Sequence, residues 1–154
     1  MQKLIHRIAV GFVVINMFLF CPAQALEQKE IESITVLADG QIAVALSELA
    51  SLFTHEKTIS VSATFGISED QKKRIEDGES ADLFITTDMQ LIQQLKVKGL
   101  VDVYSIGRIA SHHETHFLAA VVASENMTPA RNFLAFLKSD EARKVFKKNG
   151  LSVP

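Results

Sequence analysis

Ile34-Thr35-Val36-Leu37-Ala38-Asp39-Gly40-Gln41 reads as a β-branched strand that runs into a tight turn. The residues that follow, Ile42 to Phe53, read as an amphipathic helix with Val44, Ala45, Leu46, Leu49, Leu52 and Phe53 on or near one face. In an open α/β sheet, ligands bind at such turns, outside the carboxyl ends of the strands. The helix N-terminus adds unpaired N–H groups and partial positive charge, which suits an anion.

Working outward from that unit, strands and helices alternate. Thr58 to Phe65 has a period of two, with Ile59, Val61, Ala63 and Phe65 inward. Ser68 to Asp77 predicts a helix with a Ser68…Gln71 capping box and Gly78 at its C′ position. Asp82 to Thr86 is a short apolar strand, and Thr87 or Asp88 caps a helix that Gly99 ends. Val101 to Ile109 is partly extended. Phe117 to Ala123 is a near-continuous apolar run, as a strand buried on both faces should be. Thr128-Pro129 opens a helix with Phe133, Leu134, Phe136 and Leu137 inward, and Ser139 caps a last helix closed by Gly150. The pattern predicts one α/β domain, a single three-layer α/β/α lobe around a mostly parallel sheet.

Met1 to Ala25 has the order of a secretory signal: basic Lys3 and Arg7, an apolar run from Ile8 to Phe20, and Ala23-Gln24-Ala25 for cleavage. The apolar run is short of the ~20 residues a membrane span needs, and Phe18 to Phe20 are too large for a lipid-anchor motif on Cys21. Cleavage after Ala25 leaves Leu26 to Pro154, removes the only cysteine, and with it any disulfide, thiol nucleophile or cysteine metal site. The mature chain then carries 14 Lys and Arg against 18 Asp and Glu, which argues against nucleic acid as a partner.

Three stretches carry a resemblance: Ile34 to Leu46; Phe65 to Asp88, above all Ile75-Glu76-Asp77-Gly78 and Ala81-Asp82-Leu83-Phe84-Ile85-Thr86-Thr87-Asp88; and Phe117 to Pro154, with Phe136-Leu137-Lys138-Ser139-Asp140-Glu141-Ala142. On these residues the chain resembles the periplasmic molybdate-binding proteins of ABC importers. The resemblance implies a periplasmic, non-enzymatic lobe that binds molybdate, tungstate or sulfate and delivers it to an ABC permease, with no cofactor. It implies ligand contacts from the first two turns, here Gly40 and Gln41, and Ser68. It also implies a second lobe between Gly99 and Phe117, for which Leu100 to His116 leaves no room. The expected form is therefore shortened, with an exposed cleft face open to self-association or another protein partner, or a remnant without activity.

The retained turns depart from the family as well. Gln41 stands where the family has serine, and Ser68 is followed by Glu69 and Asp70, which cannot donate to an anion when ionised. Asp39, Glu69 and Asp70 fit two readings: ordinary capping and first-turn acids, or internal charges in the place of a bound anion. His112 and His116 have the i, i+4 spacing of a metal clamp if their segment is helical; the simpler reading is a solvated junction. No Gly-x-Ser-x-Gly, P-loop or paired-carboxylate motif points to catalysis.

Overall fold

The computed structural model describes residues 32–124 and 127–154. The expected signal segment and Cys21 lie outside the described residues. Five strands, β1 (Ser33–Asp39), β2 (Ser60–Gly66), β3 (Leu83–Thr86), β4 (Gly107–His112) and β5 (Thr115–Val121), form one sheet in the order β2-β1-β3-β5-β4. The β2-β1-β3 core is parallel; β5 returns antiparallel to β3, and β4 antiparallel to β5. The expected α/β lobe is thus parallel at its centre and antiparallel at one edge.

Alternation along the strands sorts side chains into two cores. Ile34, Val36 and Ala38 of β1, with Phe117, Ala119 and Val121 of β5, face α1 (Ala43–Lys57), α4 (Thr128–Leu137) and α5 (Asp140–Lys148). Leu37, Phe84 and Ala120 face α2 (Ser68–Glu76) and α3 (Met89–Val97). Helices on both sides supply the three layers, and the central strands are apolar on both faces because both are covered. Phe53 of α1 and Phe133 of α4 are both fully buried, with ring centroids 5.0 Å apart.

Local signals set most element ends. Asp88 accepts from Gln90 N–H and starts α3; Ser139 accepts from Ala142 N–H and starts α5. Gly78 and Gly99 have φ of +85° and +71° just past α2 and α3, where the left-handed turn suits glycine. The expected capping box at Ser68 does not form. Ser68 is the first residue of α2, and its hydroxyl is drawn to a tertiary partner described below. Leu100 to His116 reconnects the sheet by a bridge of Val101 to Val122, then the β4-β5 hairpin, whose turn is His113-Glu114.

Five ion pairs on four carboxylates bind the surface together, and each of the four carboxylates is depressed. The hydrogen bond from Lys148 lowers the Glu48 pKa; Lys72, then Lys98, lowers Glu76; Arg74 lowers Glu79; Arg131 lowers Asp102. A carboxylate depressed in the fold adds stability above its unfolded pKa and loses it as pH falls through the folded one. Glu141 is shifted the other way, raised first by its hydrogen bond to Glu56 and then by that neighbour's charge. Its contribution is present at low pH and lost as pH rises through its raised pKa. Melting temperature should therefore fall on acidification below about pH 4, the ordinary carboxylate range. Glu141→Gln should raise it at pH 7 and add nothing at pH 3. Thermal melts at both values check this; a melting temperature indifferent to acid overturns the assignment.

Candidate functional site

The parallel register of β1 and β2 pairs Asp39 with Gly66, so both strands end at the same level. Their turns lie side by side: a Cβ on Gly40 would meet the Gly66 carbonyl oxygen at 3.9 Å. A short 3-10 turn, Gly40–Ile42, leads into α1, and Ile67 leads into α2. The three residues expected to hold a ligand, Gly40, Gln41 and Ser68, are thereby brought to one place. Gly40 and Gln41 are exposed and Ser68 is buried.

Between them stands Asp39. One carboxylate oxygen accepts from the Gln41 backbone N–H at 2.9 Å, and the other accepts from the Ser68 hydroxyl at 2.7 Å. The carboxylate thus spans the two helix starts, as a bound oxyanion would, and uses one donor from each. Glu69 and Asp70 lie exposed in the first turn of α2, adding negative charge at the same end of the sheet. The dipole of α2 accounts for first-turn acids. It does not account for a carboxylate that reaches from the end of β1 to a hydroxyl 29 residues away. This bridge is the feature that sequence reasoning missed. Its signal was an acid and a serine on paired turns.

The histidine cluster forms no helix. His112 ends β4 opposite Thr115, and His116 lies in β5 opposite Ser111. A helical i, i+4 clamp cannot exist on a hairpin, whose side chains alternate across the sheet. The His112 ring instead meets the His113 ring edge-on, with centroids 4.3 Å apart. Among the described residues, no three His, Cys, Asp or Glu side chains cluster as a metal site would need. No helix among them is long and apolar enough to cross a membrane.

Residues 34–113 match the family model of the bacterial extracellular solute-binding proteins. The chain belongs to that family. It is a family of solute-binding proteins and not of enzymes. No curated protein matches the sequence. Among solved structures, the fold is similar to the substrate binding domain of a putative molybdenum ABC transporter from Clostridium difficile, at TM-score 0.73 and 11% identity, covering 79% of this chain and 99% of that one. It is similar to the periplasmic molybdate-binding protein of Azotobacter vinelandii, at TM-score 0.72 and 10% identity, with the same coverage of 79% and 99%. The sulfate-binding protein SubI of Mycobacterium tuberculosis H37Rv gives 0.68 at 14% identity, covering 78% of this chain and 86% of that one. At these identities the likeness is one of fold.

Proposed function

We propose that this is an exported, single-lobe solute-binding protein of the molybdate type whose oxyanion site is occupied by its own carboxylate, leaving weak affinity for molybdate, tungstate or sulfate. The observation that carries this is the Asp39 bridge between Gln41 N–H and Ser68 Oγ. Family membership and the names of the similar structures support the ligand class. The single five-stranded sheet and the β4-β5 hairpin support the one-lobed form: the chain turns back at His113-Glu114, between the points where the family's second lobe would be inserted. Gly40, Gln41 and Ser68 remain the proposed ligand contacts, and an ABC permease the proposed acceptor.

A second reading, a protein-interaction module or self-associating lobe, is favoured by one observation. Val44, Ile67 and Met89 are 74%, 66% and 40% exposed, and they stand at the starts of the helices that follow β1, β2 and β3. The cleft face therefore carries apolar side chains, the usual mark of a partner surface.

One titration addresses both. Isothermal calorimetry of the purified protein with molybdate, tungstate and sulfate should give constants near the millimolar range, since like charges ~4 Å apart cost ~1 to 4 kcal/mol and each 1.4 kcal/mol is about tenfold. A sub-micromolar constant in the monomer overturns the proposal. The same constant confined to a dimer, seen by sedimentation, means that a second copy supplies the opposing wall.

A further inference from the structure

At the opposite edge of the sheet from β2, a groove of about 690 Å³ runs along β4, between the end of α4, the start of α5 and the segment that follows Leu151. Ile109 and Leu137 are buried in its floor; Ile106, Leu118 and Val153 are half-buried beside them. Its exposed side chains are three cations, Arg108, Lys138 and Arg143, with Met89, His116 and Pro154. None of its lining residues is acidic, although the domain as a whole carries more Asp and Glu than Lys and Arg.

The fold places these charges with some care. The pairing of β4 with β5 shifts register between Arg108 and Ala110, an irregularity of the kind that re-aims side chains at a sheet edge. Ser111 exchanges backbone hydrogen bonds with Ser152, which brings the Val153 segment alongside β4. Lys138 follows the last turn of α4, where the helix dipole favours a cation, but its ammonium lies over β4, 3.3 Å from where a Gly107 Cβ would sit. Arg143 has only a loose 3.7 Å pairing with Asp140, whose side chain is 94% exposed. Arg108 has no carboxylate partner among the described residues. Dipole and ion pairing therefore explain two of the cations and leave Arg108 over apolar floor without an anion.

We propose that this groove binds a small anionic amphiphile, with a carboxylate or phosphate head on Arg108 and Lys138 and an apolar body along Ile106, Leu118 and Val153. An apolar cleft of this volume with few converging polar groups is the usual form of a small-molecule site. Guanidinium is suited to either head because its fork pairs both oxygens of the anion. The groove meets the cleft face at Met89 but shares no residue with the Asp39 bridge, and it does not rest on the oxyanion reading.

The test is calorimetric titration of the purified protein with decanoate and decyl phosphate, each below its aggregation concentration, against decanol and acetate. Decanoate or decyl phosphate should bind at least tenfold more tightly than decanol, which lacks the charge, and than acetate, which lacks the body. Arg108→Gln with Lys138→Gln should weaken binding at least tenfold at unchanged melting temperature, while Lys147→Gln, outside the groove, changes nothing. Arg108→Gln alone, at an exposed side chain with no ion pair among the described residues to lose, should weaken binding by itself and serves if the double variant fails to fold. Decanol binding as tightly as decanoate, or the double variant or Arg108→Gln binding as the parent does, overturns the proposal.

Discussion

In Asp39→Ser, affinity for molybdate should rise about fivefold or more while the unliganded protein melts at a lower temperature. The two effects have one cause. The carboxylate holds Gln41 N–H at 2.9 Å and Ser68 Oγ at 2.7 Å, so an incoming oxyanion finds both donors engaged and a like charge beside it. Removing the charge returns ~1 to 4 kcal/mol of repulsion, which spans roughly fivefold to several hundredfold in affinity. Serine caps a helix about as well as aspartate, so the cap on Gln41 N–H costs little, but its single hydroxyl cannot also serve Ser68, whose buried hydroxyl loses its acceptor at ~1 to 3 kcal/mol. Saturating molybdate should restore stability to the serine variant, by ~2.7 kcal/mol at a hundred times its dissociation constant, and do little for the parent. Asp39→Asn separates the terms: it keeps the shape, removes the charge and turns one of the two acceptors into a donor, which the Ser68 hydroxyl can meet by rotating to accept, so it should recover part of the affinity at a smaller cost in stability. Calorimetry and thermal melts read both quantities. If the serine variant binds no better than the parent, the internal carboxylate is a cap and nothing more, and the open face accounts for weak binding.

What could be read from the sequence follows the range of the interactions involved. Asp88, Ser139, Gly78, Gly99 and Gly150 act within a few residues, and each marks an element end where expected. The apolar runs of β1, β3 and β5 fixed the sheet because burial on both faces leaves little choice of residue. Ser68 was misread as a cap because the competing acceptor lies on another strand. Local pattern cannot weigh a partner brought close only by the β1-β2 register. β4 was legible only as a partly extended stretch: Gly107-Arg-Ile-Ala-Ser-His112 has no clean alternation, its pairing is irregular, and His113-Glu114 lacks the Asn-Gly or Asp-Gly signature of a two-residue turn. His113 takes a φ of +52° there without being glycine, so the turn is imposed by the strands it joins. The last turn of α1, Thr54 to Lys57, was missed because it is polar and solvated, and so carries no apolar period.

Phe133→Ala should cost ~3 to 5 kcal/mol, the range for removing a buried aromatic side chain. That is a large part of the ~5 to 15 kcal/mol by which domains are stable. Phe133 is fully buried; its ring lies 5.0 Å from Phe53 and 6.3 Å from Phe136, and Phe53 lies 5.3 Å from Phe136. Two of these pairs are tilted and Phe133–Phe136 is stacked; aromatic pairs at such distances add ~0.5 to 1.5 kcal/mol beyond area. The cluster matters beyond its energy because it joins α4, which follows the return strand β5, to α1, which follows β1. A lobe that stands alone must hold these two halves as one cooperative unit. Amide exchange should then lose protection together at Val36, Ile85 and Val121, on β1, β3 and β5, and chemical unfolding should stay a single transition at a lower midpoint. Tyr104→Ala, at a side chain 95% exposed, should stay within about 0.5 kcal/mol. Exchange at Val121 alone, with Val36 and Ile85 still protected, would show β5 and α4 as a loosely docked addition and would defeat the single-lobe reading.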